Sequence, residues 1–172
     1  SFDYLPNLTH LYQDDPDWED DPMAGCPHSP ECTIGDVGCK LTSFTMSERY
    51  VNDNSHEPPY INTTFYSLSN PTQATCNMSL SNACSVFGIN VEPQRGSYSE
   101  KIQFIIGSID QGYPVILEVE LSGLHYVVAY GYMIDSNGTH ILIRDPEVDW
   151  DYTRLSTYIN YGRTLNYCGK IY

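Results

Sequence analysis

Three consecutive runs in the second half of the chain constrain the fold more than any other feature. YPVILEVEL (113–121), LHYVVAYGYMI (124–134) and THILIRDP (139–146) are dense in β-branched and aromatic residues. Such side chains suit a pleated, half-buried surface, so each run reads as a strand. Ser122-Gly123 and Asn137-Gly138 separate the runs. Links this short turn the chain back antiparallel, because a parallel crossover needs a dozen residues or more. The runs therefore form an antiparallel meander. A last short helix around 153–160, stopped by Gly162, precedes a terminal strand near 163–168.

Ahead of the meander the period changes from 2 to 3.6. Ser97-x-x-Glu100 is a capping box, and Ile102, Ile105, Ile106 and Ile109 form one apolar stripe, predicting a helix over 98–111. An earlier helix opens near Cys39, where GDVGC ends a glycine-punctuated turn and Leu41, Phe44, Thr45 and Glu48 follow at helical spacing. Residues 52–96, rich in Asn, Ser, Pro and Thr, read as a long loop region. Helices first and a sheet afterwards predict an α+β fold in one domain, 1–172. Its parts are an irregular acidic leading segment (1–34), a helical and loop part (35–111) and an antiparallel sheet part (112–172).

Charge excludes some partners. With 22 acidic against 8 basic residues the chain carries −14, and this surface repels nucleic-acid phosphate and anionic lipid alike. No apolar run approaches the ~18 residues of a membrane span, since Glu118, Glu120 and His125 interrupt the best candidates. The acidic stretch Asp14, Asp15, Asp17, Glu19, Asp20 and Asp21 lacks calcium-loop spacing and reads as a solvated loop. Fifteen tyrosines and four sequons, at Asn7, Asn62, Asn77 and Asn137, point to an extracellular or cell-surface protein and to glycosylation at those positions. Six cysteines fit that setting. Two close pairs, Cys26 with Cys32 and Cys76 with Cys84, are the expected disulfides. A zinc site from Cys26, His28 and Cys32 lacks a second ligand pair with standard spacing, so neither metal nor cofactor is expected.

Cys39 is the cysteine with chemical interest. A thiol that opens a helix faces the positive end of the dipole and unpaired backbone N–H groups, which favour the thiolate and can hold an oxyanion. His125 begins the most hydrophobic strand, and Asp145 ends the next one, before Pro146. Hairpin pairing brings those two ends together, and a carboxylate beside an imidazole orients it and stabilises its charged form. Cys39 must then stay reduced, which leaves Cys168 unpaired as well, either buried on the terminal strand or linked to another chain. A Cys39–Cys168 disulfide would instead remove the nucleophile.

At this point GDVGCKLTSFTM (35–46) resembles the nucleophile motif of the C39-like branch of papain-fold cysteine peptidases. YPVILEVEL, His125-Tyr-Val-Val128 and Ile143-Arg-Asp-Pro146 match the later motifs in the same order. YQDDPDW (12–18) looks like the signature ahead of the nucleophile in some members. In other C39-like chains the glutamine stands six residues before the cysteine, where this chain has Thr33, and a small residue stands where it has Lys40. The resemblance implies a papain-like fold, with an N-terminal helical part packed on a C-terminal sheet. It implies Cys39 as nucleophile, His125 as general base and acid, Asp145 as orienting carboxylate and Gln13 as oxyanion donor. The implied activity is that of a secreted or surface-displayed thiol peptidase or amidase acting on a peptide or protein. The alternative is a catalytically silent domain that keeps the fold for self-assembly or for association with other extracellular domains.

Overall fold

In the computed structural model, residues 1–24, 26, 32–69, 78–120, 123–147 and 152–172 are described. The first half of the chain runs β1 (Phe2–Tyr4), α1 (Ile34–Val37), α2 (Cys39–Val51), α3 (Pro58–Leu68), α4 (Leu80–Phe87) and β2 (Val91–Gln94). It continues with α5 (Tyr98–Asp110), β3 (Val115–Glu120), β4 (Leu124–Asp135), β5 (Gly138–Arg144), α6 (Leu155–Asn160) and β6 (Thr164–Ile171). The six strands form one antiparallel sheet in the order β1-β4-β3-β6-β2, with β5 on β4. The fold is α+β.

The meander forms as its composition predicts. β3 pairs with the first half of β4, Val119 opposite His125, and β5 pairs with the second half, Met133 opposite His140. β4 is long enough to take β1 as well, with Phe2 opposite Met133. That third pairing needs Gly131: a Cβ there would lie 2.8 Å from the Tyr4 Cβ and 2.9 Å from the Asp3 carbonyl oxygen. The sheet thus recruits strands from both ends of the helical part, β1 and β2 lying outside 112–172.

Period-2 alternation splits the core into two layers. Leu117 and Val119 of β3 pack with Ile105 and Ile109 of α5, together with Val127 and Leu165. Ile116, between them in sequence, packs with Leu41 and Phe44 of α2 and with Ile61 and Phe65 of α3. α2 is polar in sequence yet buried without a break from Leu41 to Glu48. Three of its hydroxyls find partners: Ser43 Oγ donates to the Tyr126 carbonyl at 3.1 Å, and Thr45 and Ser47 donate to carbonyls four residues back. The buried Thr42 Oγ1 has none among the described residues. The buried Glu48 carboxylate accepts from Asn52, Asn54 and His56.

Three expectations are corrected. First, 52–96 is not one long loop. It holds α3, which Pro58 and Pro59 start, and α4, which Ser79 caps and the left-handed Gly88 (φ 69°) ends, before β2 adds an edge strand to β6. The polar composition hid the short Ile61/Phe65 and Leu80/Ala83/Cys84 stripes. Secondly, the local disulfides do not form: Cys32 and Cys84 are free thiols. Cys26 is disulfide-bonded, but not to Cys32, and Cys76 lies outside the described residues. Backbone pairing closes the first loop instead, through the Pro22–Thr33 bridge and the Met23 N–H on the Cys32 carbonyl at 2.9 Å. Cys84 turns inward from α4 into the core, where burial pushes its thiol up to about 12. Thirdly, Asn62 is not an exposed sequon. Its side chain is 2% exposed, accepts from the Ala24 N–H and donates to the Pro22 carbonyl, so the folded chain leaves no room for a glycan. Asn7 and Asn137 are exposed; Asn77 lies outside the described residues.

Candidate active site

The Gly38-Cys39 step is built by steric exclusion. Thr33 caps α1 by accepting from the Asp36 N–H, and Gly38 ends α1 with its own N–H on the Ile34 carbonyl. α2 then restarts at Cys39. The backbone of Gly38 (φ −84°) is open to any residue, but a Cβ there would sit 2.3 Å from the Ile34 carbonyl oxygen. Glycine is required by space, not by torsion. Gly38→Ala is accordingly expected to cost about 1–3 kcal/mol through the shift it forces, and to slow alkylation of Cys39 by iodoacetamide. A thermal melt and a labelling time course check both, and unchanged values would show that the junction is soft.

Cys39 is a free, partly exposed thiol at the start of α2. It lies close enough to the imidazole of His125 to help push that ring up. The other side of that ring faces Asp145, whose Oδ1 and Oδ2 lie 3.0 and 3.1 Å from His125 Nε2, leaving Nδ1 as the nitrogen for the thiol. Asp145 is fully buried and also accepts from the Glu147 N–H at 2.8 Å. Burial works against a charged ring at His125. The hydrogen bonds and negative charges of Asp145 and Cys39 outweigh it, and the imidazole is pushed up to about 9. A thiol, an imidazole and a carboxylate are therefore brought together from α2, from β4 and from just past β5.

Gln13 reaches the same neighbourhood from the opening segment. Its side chain is 3% exposed and Nε2 donates to the Gly35 carbonyl at 2.7 Å, four residues before Cys39. The Pro22–Thr33 bridge makes this possible by pinching off the loop between them, so that Gln13 approaches although it is far from Cys39 in sequence. One N–H of its amide is used on Gly35 and the second is left for another acceptor.

Several neighbours were not legible as site residues. His10 Nε2 lies 2.5 Å from the Asp145 carbonyl oxygen, and the Gln13 N–H donates to the Pro146 carbonyl at 2.7 Å. The opening segment thus clamps the strand end that carries the carboxylate. Glu147 Oε2 lies 4.0 Å from His125 Nδ1, and the ring of the buried Tyr158 stands 6.0 Å from the imidazole. An acidic residue two positions after Asp145 was the only available signal; His10 and Tyr158 had none. Cys168 is free and fully buried on β6, although the pairing from which its unpaired state was expected does not form, and burial pushes it up to about 12, which makes it a poor nucleophile.

Among the described residues no group of three or more His, Cys, Asp or Glu converges as a metal site, and no helix is long and apolar enough to cross a membrane. No curated protein matches the chain. The model of the peptidase C39 like family matches residues 11–167, a span that takes in Gln13, Cys39, His125 and Asp145. Over nearly its whole length, then, the chain belongs to the C39-like peptidase family.

Proposed function

We propose that the protein is a thiol peptidase or amidase that works by acyl transfer through Cys39. The observation that carries this reading is a free thiol at a helix start, beside an imidazole that a buried carboxylate holds from behind. The Cys39 thiolate adds to the substrate carbonyl carbon. The resulting oxyanion is met by backbone N–H groups at the start of α2 and by the second N–H of Gln13. His125, charged as imidazolium, gives its proton to the departing amine, which leaves a thioester on Cys39. A water then adds to the thioester carbonyl while His125 takes its proton, and the thiol leaves with the carboxylic acid product. Asp145 keeps the ring turned and stabilises its charge throughout.

The setting we favour is outside the cell, on account of the exposed sequons at Asn7 and Asn137 and the bonded Cys26. The test is direct trapping. An activated peptide ester mixed with the protein and quenched in acid should add one acyl mass to the peptide that contains Cys39, and none in Cys39→Ala. Absence of the adduct on folded protein would favour the silent assembly module instead.

A further inference from the structure

Beside the nucleophile lies a pocket of about 410 Å³ whose charge runs against that of the chain. Its floor is one row across three strands, Tyr126 of β4, Glu118 of β3 and Tyr167 of β6, which stand opposite one another in register. Lys40 Nζ sits 5.1 Å from the centre of the Tyr126 ring and Arg95 Cζ sits 4.8 Å from the centre of the Tyr167 ring. The two cations therefore cap the two ends of an aromatic row. Only 8 basic residues occur in the whole chain, and two of them line this pocket.

The pocket adjoins the thiol through Lys40, which follows Cys39; Tyr126 follows His125 in β4 and by strand alternation turns to the other face of the sheet, the one that α2 covers. Neither Lys40 nor Arg95 makes an ion pair with a carboxylate among the described residues. Glu118, the one acidic residue lining the pocket among the described residues, is already engaged: its Oε2 accepts from the Tyr126 hydroxyl at 2.7 Å. Burial holds the Lys40 ammonium below the usual lysine range, opposed by the charges of Glu118 and Cys39. A partly desolvated cation of this kind gains more from an incoming anion than a surface lysine does.

We propose that this pocket receives a carboxylate side chain, Asp or Glu, of the substrate next to the bond that Cys39 attacks, with Lys40 and Arg95 as its specificity-determining residues. This rests on the thiol-peptidase reading above. Two cations against one committed carboxylate leave a net positive site, whereas the surrounding −14 surface repels acidic peptides that do not find it. Glu118 sets a limit on affinity and gives the assignment a sign that can be measured.

The probes are peptidyl acyloxymethyl ketones carrying Glu, Gln or Lys, scanned through the three positions before the reactive group, with iodoacetamide as a pocket-independent reagent. At one position the Glu probe should alkylate Cys39 about ten-fold faster than the Gln probe, the worth of a single charge-assisted contact. Lys40→Met and Arg95→Met should each shrink that Glu-to-Gln ratio, and Glu118→Gln should widen it. A ratio of one at every position, a preference for Lys, or a narrower ratio in Glu118→Gln overturns the pocket assignment while iodoacetamide labelling leaves the nucleophile standing. Failure of every reagent, iodoacetamide included, to label Cys39 in folded protein overturns both.

Discussion

Cys39→Ala is expected to lower peptide or amide hydrolysis by about three orders of magnitude or more, and to leave the melting temperature almost unchanged. The first effect follows because removing the attacking atom removes the covalent path, leaving only binding and oxyanion contacts. The second follows because Cys39 is partly exposed at a helix start, where alanine is a good helix former. His125→Ala should be as damaging to turnover but must also be read against stability. It strands the fully buried Asp145 carboxylate, a loss on the order of 3–5 kcal/mol. Asp145→Asn separates the two effects. The amide can still hold the ring, so some turnover should survive, but the imidazolium loses its counter-charge. Initial rates on a fluorogenic peptide beside circular-dichroism melts would measure this. Equal rates in wild type and Cys39→Ala would end the hydrolytic reading.

Stability should fall with rising pH across a window that His125 defines. Its imidazole ordinarily titrates near 6.5 and is pushed up to about 9 here, burial being outweighed by Asp145 and Cys39. A raised value means that the folded state holds the proton more tightly than the unfolded chain does. The stabilisation is therefore complete below about 6.5, fades as pH climbs, and is gone above about 9, a loss on the order of 3 kcal/mol. Urea melts at closely spaced pH values should trace that decline in wild type, and the trace should flatten in Asp145→Asn. A wild-type profile that rose from pH 6.5 to 9 would mean that the ring is held neutral, which would reverse the electrostatics assigned to the site.

Much of this was readable from local pattern. The meander was legible because alternation, β-branched runs and two-residue turns act within about ten residues, and α5 was legible because Ser97 and Glu100 cap it whatever surrounds it. Cys39, His125 and Asp145 could be named because each stands at the end of an element that the sequence marks clearly, and elements that neighbour in sequence pair in space. The amino-acid sequence by itself thus determined the α+β class, the helix that presents the thiol and the strand ends that present the imidazole and carboxylate.

Tertiary structure decided what depends on contacts between distant segments. Residues 52–96 looked like loop because Asn, Ser, Pro and Thr punctuate and surround α3 and α4; their stripes acquire meaning only when Ile61, Phe65 and Leu80 meet α2 and the sheet. The cysteine pairs were misjudged because closeness in sequence does not set the direction of a side chain. Helix α4 turns Cys84 inward, and a backbone bridge does for Cys32 what a disulfide was expected to do. The clamp of His10 and Gln13 on Asp145-Pro146, and the Tyr126–Glu118–Tyr167 row beneath Lys40 and Arg95, each join segments tens of residues apart. No window of sequence contains such a contact, because it exists only once sheet register and the burial of α2 have set which side chains share a face.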